Sequence, residues 1–154
     1  MGTVRREIAR ETRIVRRVST ELTVETTGAG FTELTRTVAD FLADIRAADG
    51  EVSLFCRHTS ASLLIQENAD PDVRIDLLTA FERLAPADAG WVHDDEGPDD
   101  MPAHVKSMLT GIALAVPVIA GRMALGTWQG IYLAEHRTRP HTRTIILAFT
   151  GDGG

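Results

Sequence analysis

Residues 128–151, "WQGIYLAEHRTRPHTRTIILAFTG", decide the class of fold. Two apolar runs, GIYLAE (130–135) and TIILAFTG (144–151), flank a polar hairpin that contains Pro140. Both are short, bounded by glycine or charge, and rich in β-branched and aromatic residues, so both read as strands. The first run ends abruptly in Glu135, His136 and Arg137, which puts an acid, an imidazole and a guanidinium at a rigid strand end. Upstream, IALAVPVIA (112–120), a Gly-Arg turn and MALGTW (123–128) extend the β pattern, with Pro117 predicting an edge strand or a bulge.

Towards the N-terminus the period changes twice. Residues 14–27 alternate, with Val18, Thr20, Leu22, Val24 and Thr26 on one face, as a half-buried antiparallel strand requires. Leu34, Val38, Phe41, Leu42 and Ile45 then fall at helical spacing, predicting an amphipathic helix over 32–47. Residues 51–57 and 61–66 read as strands interrupted by RHTSAS. A turn, ENADPDV, delivers Asp72 as N-cap to a helix over 73–84. A polar, acidic loop from Pro86 to Pro102 precedes a short helix over 102–110, capped by Asp99 or Asp100 and stopped by Gly111. Strands, helices and strands again, without strict βαβ alternation, give an α+β fold with a largely antiparallel sheet, two longer helices and one short helix.

The chain has 154 residues and a formal net charge of -6, which argues against a nucleic-acid partner. No apolar run is long enough for a transmembrane helix, so no membrane partner is expected. The single cysteine, Cys56, excludes an internal disulfide and fits a cytoplasmic setting. Six arginines in the first 17 residues make residues 1–12 a flexible basic arm, leaving 13–154 as one domain.

Three histidines lie on separate elements, each beside carboxylates or hydroxyls: His58 in the strand break, His104 in the short helix, and His136 at the strand end. Three neutral imidazoles with one open position would suit a divalent metal, zinc or magnesium, so His58, His104 and His136 are the expected ligands. A second candidate is the run HDDEGPDD (93–100), whose five acids lie just ahead of His104 and suit cation binding or acid–base work. Thr59, Ser60 and Ser62, with Arg137, Arg139 and Arg143, could receive a phosphate.

Four segments together, HTSASLLIQENADPDVRID, HDDEGPDDMPAHVKSMLTG, PVIAGRMALGTWQG and IYLAEHR, resemble the YjbQ-type proteins, also called the secondary thiamine-phosphate synthase family. The likeness runs from about Arg17 to Gly151. It departs after EHR, where this chain has TRPHT and the family usually has glycine, so no role carries over to Arg139. The resemblance implies a homotrimer and a weak thiamine-phosphate synthase-type condensation of hydroxymethylpyrimidine diphosphate with thiazole phosphate. It also implies catalytic roles for His58, Glu67, His104 and His136. Thr59, Ser60, Asn68, Asp70, Trp128, Gln129 and Arg137 are then the substrate-binding positions, with Asp99 and Glu135 supporting them. The expected partner is a small phosphorylated molecule. The alternatives are a metal-dependent hydrolase and a non-catalytic trimeric protein that binds a metabolite or anion.

Overall fold

The computed structural model describes residues 11, 14 and 16–153, so the basic arm expected over residues 1–12 lies outside the described residues except for Glu11. Eight strands and three helices follow one another as β1 (Arg16–Thr26), β2 (Gly30–Glu33), α1 (Thr35–Asp44), β3 (Ala47–Cys56), β4 (Ala61–Glu67), α2 (Pro71–Leu84), α3 (Asp100–Thr110), β5 (Ala113–Ile119), β6 (Arg122–Met123), β7 (Gln129–Glu135) and β8 (His141–Gly153). The α+β class and the antiparallel pairing are as the sequence predicts.

The strands form two sheets, ordered β1-β8-β3-β5-β6 and β2-β7-β4. β7 and β8 therefore do not make a hairpin: they belong to different sheets, and residues 136–140 cross from one to the other. The crossing starts at the polar end of β7, the central strand of the smaller sheet, and enters β8, an inner strand of the larger one. Val52, Leu54, Ile145, Leu147 and Phe149 of the larger sheet join Leu63, Ile131 and Leu133 of the smaller one in a single buried cluster, which Val38 and Leu42 of α1 complete. Each such side chain contributes about 1.5–3 kcal/mol by leaving water.

Local chemistry explains where the elements depart from the expected bounds. α2 is capped by Asp70, not Asp72: Asp70 Oδ1 accepts from the Asp72 N–H at 2.9 Å, and Pro71 is preset for the first helical position. Of MALGTW only Met123 is strand, as the second residue of β6, because Gln129 Oε1 accepts the Gly126 N–H at 2.8 Å and folds the rest into a turn. The start of the expected helix over 32–47 is instead β2, whose Phe31 and Thr32 pair with Ala134 and Leu133 of β7. Pro117 lies on β5, whose outer neighbour is the short β6. Gly50 and Gly151 face each other across β3 and β8, where a Cβ on Gly50 would meet the Thr150 carbonyl oxygen at 2.3 Å.

Candidate functional site

The antiparallel ladder between β4 and β7 matches Ala61 with Glu135 at one end and Glu67 with Gln129 at the other. Seven residues of strand span about 20 Å, so the polar positions singled out in the sequence fall into two groups at opposite ends. At one end stand Glu67, Asn68, Asp70, Trp128 and Gln129. Glu67 accepts from the Ala69 and Asp70 N–H groups, the Asn68 N–H donates to the Trp128 carbonyl at 3.1 Å, and Trp128 is exposed. These side chains shape a turn, and the register puts Glu67 at the far end of the β4–β7 ladder from His136. At the other end stand His58, Thr59, Ser60, Glu135, His136 and Arg137.

A buried ion pair organises that second end. Glu135 takes Arg143 in a two-pronged contact, Oε2 to Nε at 2.7 Å and Oε1 to Nη2 at 2.5 Å. It also accepts from the Thr26 hydroxyl and the Arg137 N–H. Burial would push the Glu135 carboxyl up, but these donors outweigh it and hold its pKa below the usual range. Ser60 belongs to the same network, its Oγ accepting from Arg143 Nη2 at 3.0 Å. Ser60 is thus a buried structural partner.

The three expected metal ligands do not form one cluster. His136 is 3% exposed; its Nε2 is 2.7 Å from Ser62 Oγ, and its ring stands edge-on to Phe81. Burial, then the charges of Lys106 and Arg143, push its pKa down to about 4, so it is neutral at physiological pH. His58 Nε2 accepts the Thr144 N–H at 2.8 Å, which leaves Nδ1 as its protonated nitrogen. His58 and His104 do share a cleft of about 530 Å³, lined also by Thr59, Ser107, Met108 and Ile112.

His104 instead meets His93 and Asp100. Asp100 and His104 are four residues apart on α3 and so share a face. Asp100 Oδ2 lies 2.7 Å from His93 Nε2 and 3.2 Å from His104 Nε2, and one ligand atom from each residue lies within 4.8 Å of the others. A tetrahedral zinc holds neighbouring ligand atoms about 3.3 Å apart, so the set needs only small shifts to close on an ion. His104 Nδ1 contacts the Thr59 carbonyl at 2.8 Å. Because a carbonyl only accepts, Nδ1 carries a proton, which leaves Nε2, the nitrogen facing Asp100, as the one that would bind an ion. Burial would raise the Asp100 pKa, but the His93 hydrogen bond and the His104 and Arg137 charges hold it below the usual range.

Arg137, expected to face a phosphate, is 4% exposed and turns all three guanidinium nitrogens to the acidic loop and the start of α3. Its Nε donates to Asp99 Oδ2 at 3.0 Å, Nη1 to Asp100 Oδ1 at 2.7 Å, and Nη2 to the Glu96 carbonyl at 2.9 Å. The strand end thus holds the acidic loop and fixes the Asp100 oxygen opposite the one facing the histidines. Asp99, a helix-cap candidate, turns to Arg137 and Thr138 instead and makes no side-chain cap bond. His93 and Asp100 lie in the acidic run that the sequence offers for cation binding, although the sequence does not single them out as individual ligands beside His104. Their signal was present: the acidic run begins at His93, and Asp100 and His104 sit at i and i+4.

The family model for UPF0047 protein YjbQ-like matches residues 20–152. The chain belongs to the YjbQ-like family. A UPF0047 protein from Synechocystis is 53% identical over 104 residues, covering 67% of this chain and 71% of the relative. The YjbQ protein of Escherichia coli O157:H7 is 44% identical over 132 residues, covering 85% of this chain and 96% of its own length. Among solved structures, a yjbq/upf0047 family protein from Clostridium acetobutylicum superposes with a TM-score of 0.79 at 33% identity, covering 84% of this chain and 98% of that one. The likeness spans both ends of the β4–β7 ladder and the whole of α3.

Proposed function

We propose that this YjbQ-like chain is a divalent-metal-dependent enzyme acting on a phosphorylated heterocycle in the cleft beside α3. The observation that carries this reading is the His93–Asp100–His104 set, with its tautomer fixed by Thr59 and its carboxylate fixed by Arg137. Two imidazoles and one carboxylate leave open positions, which suits zinc in a working site more than a closed structural one, and the two nitrogen donors disfavour magnesium. A bound cation there would neutralise charge on diphosphate oxygens.

The protein's own groups supply the rest. His58 and Thr59 border the same cleft as His104, so a substrate there meets an imidazole N–H and a hydroxyl. An imidazole N–H is a donor for a departing oxyanion. The reaction taken from the resemblance, joining hydroxymethylpyrimidine diphosphate to thiazole phosphate, is a pyrophosphate displacement of this kind and makes the chain a transferase. Exposed Phe55, Met108 and Leu109, with Ile112 near the cleft, support assembly as a homotrimer. A cytoplasmic setting, where the Cys56 thiol stays reduced, belongs to the same reading.

The test is release of pyrophosphate by the purified protein given both substrates, with and without a chelator. The expected result is slow release that the chelator abolishes and that H104A and D100N lose by about 100-fold or more. Release of inorganic phosphate from either substrate alone would favour the hydrolase instead. Metal-independent release would overturn the reading.

A further inference from the structure

A second cavity lies on the opposite side of α3. It has a volume of about 490 Å³, and Glu82, Lys106, His136, Thr138 and Arg139 bring polar groups to it. Lys106 follows His104 by two residues, and such positions point about 200° apart on a helix. One face of α3 therefore serves the histidine–aspartate cluster and the other serves this cavity. Ala29, Ala87, Pro98 and Pro102 give it apolar walls.

Three features make it a built site. The Lys106 side chain is 6% exposed, and its ammonium pairs with Glu82, whose own side chain is 65% exposed. A buried ammonium needs an anion close by, and the one it has, Glu82, reaches it from a largely solvent-exposed position. Arg139 makes no ion pair among the described residues. His136 is bonded only through Nε2, and Nδ1 has no hydrogen-bond partner among the described residues. The hydroxyls of Thr110 and Ser62 lie 2.5 Å apart and both rotate, so Ser62 can donate to Nε2 and leave an N–H on Nδ1. The cavity's other acids are engaged: Asp99 accepts from Arg137 and Thr138, and Glu96 lies 3.9 Å from Arg137.

We infer that this cavity binds a small phosphate monoester, with the phosphate on Lys106 and Arg139 in the place where the Glu82 carboxylate now stands in. Thr138 and the His136 N–H are further donors to the same oxygens, and the alanine and proline walls take the organic part. The site does not rest on the metal cluster and stands whether or not that cluster holds an ion.

Calorimetric titration of the full chain with phenyl phosphate and with inorganic phosphate, in the presence of a chelator, tests this. Phenyl phosphate should bind more tightly than inorganic phosphate, because only the ester uses the apolar walls. E82Q should bind about tenfold more tightly, having lost the competing carboxylate, and R139A about tenfold more weakly. H104A, on the other face of α3, should bind as the parent does. Arg139 is exposed, so R139A folds even if Lys106 variants do not. Unchanged affinity in both E82Q and R139A, or loss of binding in H104A, would overturn the assignment. Preference for inorganic phosphate over the ester would also overturn it.

Discussion

His136 shows how burial turns one imidazole into a determinant of acid stability. In the unfolded chain it titrates near the usual histidine value of about 6.5. In the folded protein burial, with the Lys106 and Arg143 charges, pushes it down to about 4. The unfolded state therefore takes up a proton first as the pH falls. Stability is fully present above about pH 6.5, declines below it, and loses the whole contribution once the pH has passed through about 4. The loss amounts to about 3 kcal/mol at 1.36 kcal/mol per unit. His58 is shifted in the same direction by burial and adds to the slope. Asp100 and Glu135, both held low, begin to lose theirs as the pH falls below the ordinary carboxylate range of about 4–4.5. Urea denaturation between pH 7 and pH 4 should show this decline, and H136Q should remove most of it. A slope as steep in H136Q as in the parent would assign the effect elsewhere.

At the scale of elements, α2 depends on a cap that its sequence concealed. ENADPDV offers two aspartates, and helical spacing from Val73 onward favours Asp72. The proline decides otherwise, since Pro71 opens the helix and leaves Asp70 as the residue that accepts the Asp72 N–H. Asp70→Ala should cost about 1 kcal/mol and Asp72→Ala distinctly less, measured by urea denaturation at neutral pH. Equal losses would restore Asp72 as the cap. Period and turn chemistry made most strands and all three helices legible, because those signals are local. Partnering was not legible: GIYLAE and TIILAFTG look like hairpin arms, yet they enter different sheets. The site was read in part for the same reason. Its residue types stood out, but which imidazole meets which carboxylate depends on how α3 and the acidic loop pack on the end of β7. His136 reads as a metal ligand and Arg137 as a phosphate partner at a strand end, and the fold buries both.

Across the whole molecule, one end of the β4–β7 ladder is a platform for two cavities separated by α3. Buried Arg137 and Arg143 tie the crossing segment, the acidic loop and the ends of β4 and β7 into a single charged scaffold. That scaffold leaves the Asp100 oxygen facing His93 and His104 as the one set for an ion, among the described residues. The most direct test is calorimetric titration of metal-free protein with Zn²⁺ across six single variants. H93A, D100N and H104A should each lose more than about 100-fold in affinity, and R137K about 10–100-fold, because a lysine cannot hold Asp99 and Asp100 together. H58A and H136Q should bind zinc as the parent does. Full affinity in H93A and D100N, with loss in H58A and H136Q, would contradict the account and return the metal to the three histidines of the sequence reading.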